Sequence, residues 1–502
     1  MLMKRLTALW AIDKLIGTCV IRGDEEVLIS SVVINSNNCT PHSLFVAQKG
    51  LHTDGHLYID HAIDRGATAI LHSSPITNPK MGITYIETQE VVSVSSLLAY
   101  HLYGPYPEEI IGVTGTDGKS TTCEFLYTIL TSIGFRCGLL STISIDSGNG
   151  KTLSPYRMST PEVDILYPFL HECFVNKVDY VILEATSHGL SKKTGRLAHL
   201  SFSGAIMNEI TSEHLDFHHT REEYIQDKLN LVRQLKKEAP LVTNTSFSCK
   251  KKALSLLFDK KQLITYSVEE PSIKSVIHTH TTDVTIDSRS IMVNGLVPLT
   301  YSYAPEVYLS NLTSAIALAH AITKKPIKEL IKRDLTFSQM PGRYEIVYHN
   351  REVIIINDFA HTPDAFYHLF SFMRNIAPNY HISALFGAAG ERDKSKREGL
   401  GHIASLYCDT IYLTNEDPRN EDPLALIEDI KRGFAKESTC KTFTILNRKD
   451  AIREAVSTLQ AKHILLLLGK GHEKSINHGS SIEQWNESEV TLQLLREKNE
   501  IT

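Results

Sequence analysis

The chain has 502 residues, 42% hydrophobic and 22% charged, with a formal net charge of −5. That balance offers no basic footprint for nucleic acid or an anionic membrane, and no apolar run reaches the ~18 residues of a spanning helix. Eight scattered cysteines without a C-x-x-C pair read as reduced thiols of a cytoplasmic protein, and at about 100–200 residues per domain the length suggests three domains.

Residues 1–105 form the first unit. The opening apolar run is cut short by Asp13 and Lys14 and shows no small-residue cleavage site, so it reads as an amphipathic helix rather than a leader. Apolar runs at 28–34, 43–47, 69–71 and 84–86 alternate with a helical stretch at 58–65, which argues a small α/β domain. Tyr103-Gly-Pro-Tyr-Pro107 then stops a helix and marks a boundary.

The second unit runs from 106 to 336. Ile110, Ile111 and Val113 form a buried strand, and a turn with Gly112, Gly115 and Gly118 follows. Lys119, Ser120, Thr121 and Thr122 open a helix with apolar positions at Phe125, Leu126, Ile129 and Leu130. Strand, glycine turn, Lys-Ser and helix make the layout of a phosphate-binding loop. The turn lets backbone N–H groups approach phosphate oxygens, and the helix N-terminus adds partial positive charge. Lys119 would reach the outer phosphates, and Ser120 or Thr121 would ligate Mg²⁺. The spacing from Gly112 to Gly118 is not that of the common G-x-x-x-x-G-K-[ST] pattern.

An apolar run at 178–184 fits a strand buried on both faces. Glu184 ends it, ahead of Ala-Thr-Ser-His188, and a carboxylate at that edge could hold Mg²⁺; the cluster could equally be a helix cap built on Thr186 and Ser187. A strand at 205–208 leads into Asn208-Glu-Ile-Thr-Ser-Glu-His-Leu-Asp-Phe-His-His219, where His214 and Asp216 are either metal or phosphate contacts or solvated loop residues. A helix at 221–237 carries Lys228, which on spacing alone is a surface charge. A strand at 241–244, hairpins over 275–303 and a helix at 311–322 complete a doubly wound sheet with an appended β segment.

From 337 to 502, strands at 353–357, 382–386, 410–414, 442–446 and 464–468 alternate with helical patterns, giving a second open, Rossmann-like α/β sheet. Ligands of such sheets sit at the carboxyl ends of strands. There lie Asp358-Phe-Ala-His-Thr-Pro-Asp364, Gly387 to Arg397, Glu416-Asp-Pro-Arg419 and Gly469-Lys-Gly-His-Glu473. The cations of 387–397 suit a carboxylate or polyanion, or else form a basic helix face. Glu416-Asp-Pro-Arg419 pairs an arginine suited to a carboxylate with acids suited to an ammonium, the two groups of an amino acid; the alternative is a surface turn with internal ion pairs.

In family order, these motifs resemble the Mur ligases, and within them the branch that adds a diamino acid as the third peptide residue of the peptidoglycan precursor. The matching stretches are Thr114-Gly-Thr-Asp-Gly-Lys-Ser-Thr-Thr122, Ser159-Thr-Pro-Glu162, Glu184-Ala-Thr-Ser-His188, His214-Leu-Asp216, Gly342-Arg-Tyr-Glu345 and the four C-terminal motifs above. The resemblance implies a domain for the UDP substrate (1–105), one for ATP (106–336) and a mobile one for the amino acid (337–502). It implies a cytoplasmic, monomeric, Mg²⁺- and ATP-dependent amide ligase of cell-wall synthesis, serving cell shape and division. Its substrates would be UDP-N-acetylmuramoyl-dipeptide and a diamino acid, joined through an acyl phosphate.

Carried over by residue, the resemblance gives ATP to Thr114, Gly115, Thr116, Asp117, Gly118, Lys119, Ser120, Asn311, Arg343, Asp358 and His361. It gives Mg²⁺ to Ser120, Thr121, Glu184, His214 and Lys228, the last matching a lysine that the family carbamylates. It gives the UDP substrate to Ser36, Ser159, Thr160, Ser187 and Arg196. It gives the amino acid to Arg392, Glu416, Asp417, Pro418, Arg419, Gly469 and Glu473. Lys119, Glu184, His214 and Lys228 would form the catalytic set.

The chain departs from the pattern in three places. The family's Asp-Ser-Arg near the N-terminus reads Asn35-Ser-Asn37, and the literal Asp287-Ser-Arg289 sits in the β-rich segment as a decoy. The loop between His188 and Arg196 is long. The family's Asp-Asn-Pro-Arg reads Glu416-Asp-Pro-Arg419: Arg419 favours a carboxylate, as in meso-diaminopimelate, while Asp417 favours a free ammonium, as in lysine or ornithine. Other readings are a sibling of the folylpolyglutamate synthase type, opposed by the separate N-terminal domain, and an inactive nucleotide-binding homologue, opposed by the intact catalytic set.

Overall fold

The computed structural model describes residues 3–10, 19–50, 53–156, 158–211, 215–256, 262–269, 275–285, 287–302, 305–331 and 335–498. Among them, no helix is long and apolar enough to cross a membrane. The opening helix covers Leu6–Trp10, and its predicted continuation lies outside the described residues.

A five-stranded sheet holds, in spatial order, Val20–Arg22, Thr84–Glu87, Ala67–His72, Ser43–Ala47 and Ser31–Val33. Only the Val20–Arg22 edge runs antiparallel. One face buries Val33, Phe45, Ile70 and Tyr85 under the helix Ile59–Asp64. The other face packs on Val91–Tyr103, which in turn meets Val163–Val175 of the next unit.

The central sheet has eleven strands. Its parallel run is Cys137–Leu140, Tyr180–Glu184, Ile110–Thr114, Gly204–Met207, Pro240–Asn244, Gln262–Val268 and Ile277–Val284. Ile110–Thr114 lies in its interior, buried along its whole length, as a strand covered by helices on both faces must be. Ile111 and Val113 pack with Phe125, Leu126, Leu312 and Ile316 on one side, while Ile110 joins Leu229 and Leu231 on the other.

This packing corrects the sequence reading of Gly112. It is a strand residue, and a Cβ there would sit 2.4 Å from Leu231 Cδ1. It is glycine so that the helix Arg221–Arg233 can approach the sheet, while the turn belongs to Gly115 and Gly118. The predicted hairpins of 275–303 are likewise the far end of this same sheet. Arg289–Val293 and Val297–Tyr301 continue it antiparallel, with alternating burial because only one face is covered.

The C-terminal sheet orders Glu345–His349, Val353–Asp358, His463–Leu468, His381–Phe386, Thr410–Leu413 and Lys441–Thr444, parallel after the first strand. The helix Glu306–Thr323 of the central unit packs on Pro363–Ile376 of this one, and one apolar core runs through both.

Candidate active site

The phosphate loop is set by two glycines in left-handed or extended positive-φ backbone. Gly115 has φ +153° and a Cβ there would lie 2.6 Å from Asn208 Cβ; Gly118 has φ +76° and its Cβ would lie 2.3 Å from Asn311 Oδ1. Neither position accepts a side chain, so the backbone is left bare at the start of the helix Lys119–Ser132. Lys119 Nζ donates to the Thr116 carbonyl at 2.7 Å, folding the ammonium over the loop. Thr116 N donates to Glu209 O at 2.9 Å, and Thr116 Oγ1 accepts from Thr211 N and pairs with Tyr224 OH. Asn208 Nδ2 donates to Thr122 Oγ1 at 3.1 Å and to Asp117 O at 3.4 Å. Thr114 Oγ1 and Asn208 Oδ1 are buried with no partner among the described residues. A bare-backbone cradle with an overhanging lysine and a hydroxyl–carboxylate pair fits a nucleotide polyphosphate with Mg²⁺.

That pair is Ser120 and Glu184. Glu184, 2% exposed, accepts on Oε2 from Ser120 Oγ, Thr142 N and Thr142 Oγ1, each at 2.9 Å. Thr142 Oγ1 also bonds Ser159 Oγ. Thr121 is buried in the same first helical turn. Thr160 Oγ1 donates to Glu184 O at 2.7 Å and accepts from Thr186 N, while Arg196 Nη1 donates to Thr160 O at 2.9 Å and Nη2 to the Glu162 carboxylate. Thr186 caps the short helix Ser187–Leu190 by accepting from Gly189 N, so the capping reading of this stretch holds at Thr186. Ser187 Oγ and Arg196 Nε are buried and unpartnered among the described residues. Thus Ser159, Thr160, Ser187 and Arg196 are brought together beside the phosphate loop. Ser36 lies in the N-terminal unit, buried, with its hydroxyl on His61 Nδ1 at 3.0 Å.

Lys228 is not a surface charge. It is 1% exposed, its Nζ donates to Gly115 O at 2.6 Å, and it lies 4.7 Å from the Tyr224 ring centroid. The helix dips it under the loop because Tyr224, Ile225, Leu229 and Val232 bury the same face. Periodicity could not select it, since a lysine at a buried helical position reads like any polar interruption. His214 lies outside the described residues, as does the Asp216 side chain.

Across the interface, Asp358 accepts from Tyr344 N at 2.6 Å, Ala360 N at 2.7 Å and Tyr308 OH at 3.2 Å. Burial raises its carboxyl above the usual range, against the pull of Arg343 and these donors. Tyr308 shares the helix Glu306–Thr323 with Asn311, so one helix carries a residue over the loop and a residue onto Asp358. The Arg343 guanidinium stacks 4.5 Å from the Phe359 ring, and His361 Nδ1 donates to Phe359 O at 2.8 Å.

Arg419, Asp417, Glu416, Gly469 and Glu473 converge at the carboxyl ends of Thr410–Leu413 and His463–Leu468. Glu416 Oε2 lies 2.7 Å from where a Gly469 Cβ would be, and Gly469 has φ +95°. Pro418 is buried, and Gly390 N donates to Asp417 O at 2.8 Å, joining the 387–397 loop to this one. Arg419 stands in left-handed backbone, φ +53°, with its Nε buried and unpartnered among the described residues. Two expectations are altered. Arg397 is no free cation of a basic face: it is 1% exposed and bonded to Glu421 and Asp429. Arg392 remains exposed. The charge of Asp417 is already matched within the chain, by the wholly buried Lys470 at 2.8 Å.

Three family models match in sequence: the Mur ligase family catalytic domain over 28–102, the Mur ligase middle domain over 113–319 and the Mur ligase glutamate ligase domain over 342–471. The chain is 34% identical over 497 residues to a UDP-N-acetylmuramyl-tripeptide synthetase of Borreliella afzelii, covering 95% of this chain and 96% of that one. It is 32% identical to a UDP-N-acetylmuramoyl-L-alanyl-D-glutamate–2,6-diaminopimelate ligase of Bacteroides thetaiotaomicron, covering 92% and 94%. In fold it is similar to a MurF ligase from Thermotoga maritima solved in complex with ADP, with a TM-score of 0.65 and 19% identity over 94% of this chain and 98% of that one. With family models matched in all three units and a relative 34% identical across nearly the whole of both chains, the chain belongs to the Mur ligase family, the ATP-dependent ligases of peptidoglycan synthesis.

Proposed function

We propose that this ligase joins a diamino acid to UDP-N-acetylmuramoyl-L-alanyl-D-glutamate, with residues 1–105 holding the uridine end, 106–336 ATP and 337–502 the amino acid. The observation that carries the reading is the Glu184 carboxylate, which links Ser120 of the phosphate loop to Thr142 and, through it, to Ser159. The phosphoryl donor would then lie beside Ser159, Thr160, Ser187 and Arg196, with Ser187 Oγ and Arg196 Nε, unpartnered among the described residues, open to polar groups of the acceptor. The names of the relatives support the acceptor and the diamino acid.

In the proposed reaction a D-glutamyl carboxylate oxygen attacks the γ-phosphorus of ATP. The bond from that phosphorus to the β–γ bridging oxygen breaks, and ADP leaves with the electron pair. The amine of the incoming amino acid then attacks the acyl carbon, the bond to phosphate oxygen breaks, and the amine loses a proton. Phosphorylation is needed because a carboxylate has no good leaving group. Lys119 and the N–H groups at the start of its helix, Gly118 to Ser120, would stabilise charge spreading over the transferred phosphoryl oxygens. Ser120, Thr121, Glu184 and His214 would hold Mg²⁺, which supplies further charge neutralisation. Lys228, buried at Gly115, would enter the metal site as a carbamate, a modification that turns its ammonium into a carboxylate. Asn311, Arg343, Asp358 and His361 would hold the nucleoside end, and closure of the third domain would shield the acyl phosphate from water.

The test is phosphate release from ATP with the UDP-muramoyl-dipeptide and, separately, lysine, ornithine and meso-diaminopimelate. Release with one amino acid identifies the substrate; release with none rejects the proposal. Within this reading, Arg419→Ala is expected to raise KM for the amino acid about tenfold or more, because a guanidinium–carboxylate contact is lost, with KM for ATP little changed. Equal changes in both constants would remove Arg419 from the amino-acid site.

A further inference from the structure

Lys470 lies in the Gly469–Glu473 loop, and nothing in the reaction above uses it. It is 0% exposed. Its Nζ is 2.8 Å from Asp417 Oδ1 and 2.5 Å from Glu473 Oε2. Those carboxylates belong to loops that follow different strands, Thr410–Leu413 and His463–Leu468. Asp417 Oδ1 also accepts from Asn477 N at 2.9 Å, while Arg419 N donates to Asn477 O at 2.9 Å. One ammonium therefore joins the Asp417 loop to the Glu473 loop, and Asp417 in turn holds Asn477, the last residue of the strand Ser475–Asn477.

Charge makes this arrangement necessary. Glu416, Asp417 and Glu473 face a common space: desolvation raises the partly exposed Glu473 carboxyl, Lys470 pulls it down, and the charges of Asp417 and Glu416 push it up further. Without a cation among them, like charges at short range would drive the loops apart or force a proton onto one carboxyl. A lysine buried with two carboxylates has no freedom to serve as a substrate contact. It acts through them.

We propose that Lys470 is a positioning residue of the amino-acid site, an internal counter-ion that fixes Asp417 and Glu473 in the geometry the incoming amino acid meets. The inference rests on the assignment of that site to the amino acid. Asp417, read from sequence either as an acid suited to a substrate ammonium or as part of a turn with internal ion pairs, is paired within the chain to Lys470. Selectivity among diamino acids then depends on how Lys470 divides its charge between Asp417 and Glu473.

The test compares Lys470→Met, Lys470→Arg and the double variant Lys470→Met/Asp417→Asn, all in the full chain. In steady-state phosphate release, Lys470→Met is expected to raise KM for the amino acid about tenfold or more, with KM for ATP within about twofold. Lys470→Arg keeps most of the affinity, and adding Asp417→Asn to Lys470→Met recovers part of it, since one uncompensated charge is removed. Parallel rises in both KM values, or no rise in either, overturn the proposal. A second measurement is independent of the substrate assignment. Amide exchange in the ligand-free protein should quicken at Asn477 and Arg419 in Lys470→Met but not in Lys470→Arg. Unchanged exchange there also overturns the proposal, whereas wild-type protein that turns over no diamino acid, yet shows this exchange pattern, overturns only the substrate assignment.

Discussion

Lys119→Ala is expected to lower kcat by about 10³-fold or more while leaving the unfolding transition where it is. Two observations set that split. The ammonium makes a 2.7 Å bond to Thr116 O in its own loop, and the loop is held independently by Gly115, Gly118, Asn208 and Tyr224. Its removal therefore leaves no buried carboxylate unpaired, and the helix Lys119–Ser132 keeps its apolar face. Catalysis has no such redundancy. In the proposed reaction the Lys119 ammonium would meet charge moving onto the departing ADP and the phosphoryl oxygens, and loss of one such donor from a preorganised site costs about 10²–10³ in kcat. The full charge of a lysine beside phosphate takes the effect to the upper end or beyond. The measurement is single-turnover phosphate transfer at saturating ATP, alongside thermal unfolding. An undiminished rate would mean that the loop does not present the γ-phosphate.

The parts of this molecule that sequence disclosed are those that obey local rules. The continuous apolar run at 110–113, the Gly-Lys-Ser turn and the strand-end motifs follow from the periods of strands and helices and from where α/β sheets bind ligands. Cys137–Leu140 and Ser144–Asp146 were not legible: they are short, and the place of Cys137–Leu140 in the sheet is decided by Tyr180–Glu184, a partner distant in sequence. The role of Gly112 was misread for a related reason. A glycine required by an approaching helix looks the same in sequence as one required by a turn. Within the site, residues that work by burial were hidden. Thr142 sits in a turn with no periodic signal, yet supplies two of the donors to Glu184. Lys228 and Lys470 look like surface lysines until the fold buries them. Arg397 lies among true surface cations and differs from them only in having Glu421 and Asp429 brought to it.

Glu487→Leu is expected to destabilise the C-terminal unit by about 3–5 kcal/mol, the typical cost of leaving one partner of a buried ion pair uncompensated. Arg448 and Glu487 are both fully buried, and the contact is bidentate: Arg448 Nε reaches Glu487 Oε2 at 2.9 Å and Nη2 reaches Oε1 at 2.7 Å. Trp485 Nε1 donates to the same carboxylate at 2.5 Å, so the substitution also orphans an indole. The remaining guanidinium donors go to Asn415 O at 3.1 Å and Leu468 O at 2.9 Å, the residues just before Glu416 and Gly469. Stability and the proposed amino-acid site are therefore joined through one side chain. The double variant Arg448→Met/Glu487→Leu should recover much of the lost stability, because no unpaired charge is left, but it cannot restore the two carbonyl contacts. It should keep a raised KM for the amino acid even where its unfolding approaches that of wild type. Denaturant unfolding followed by tryptophan fluorescence in a Trp10→Phe background isolates Trp485, since the chain has two tryptophans. A loss below about 1 kcal/mol in Glu487→Leu would mean that water reaches Arg448 and the pair is worth no more than a surface one. Recovery of both stability and KM in the double variant would mean that the two binding loops hold their positions without the arginine.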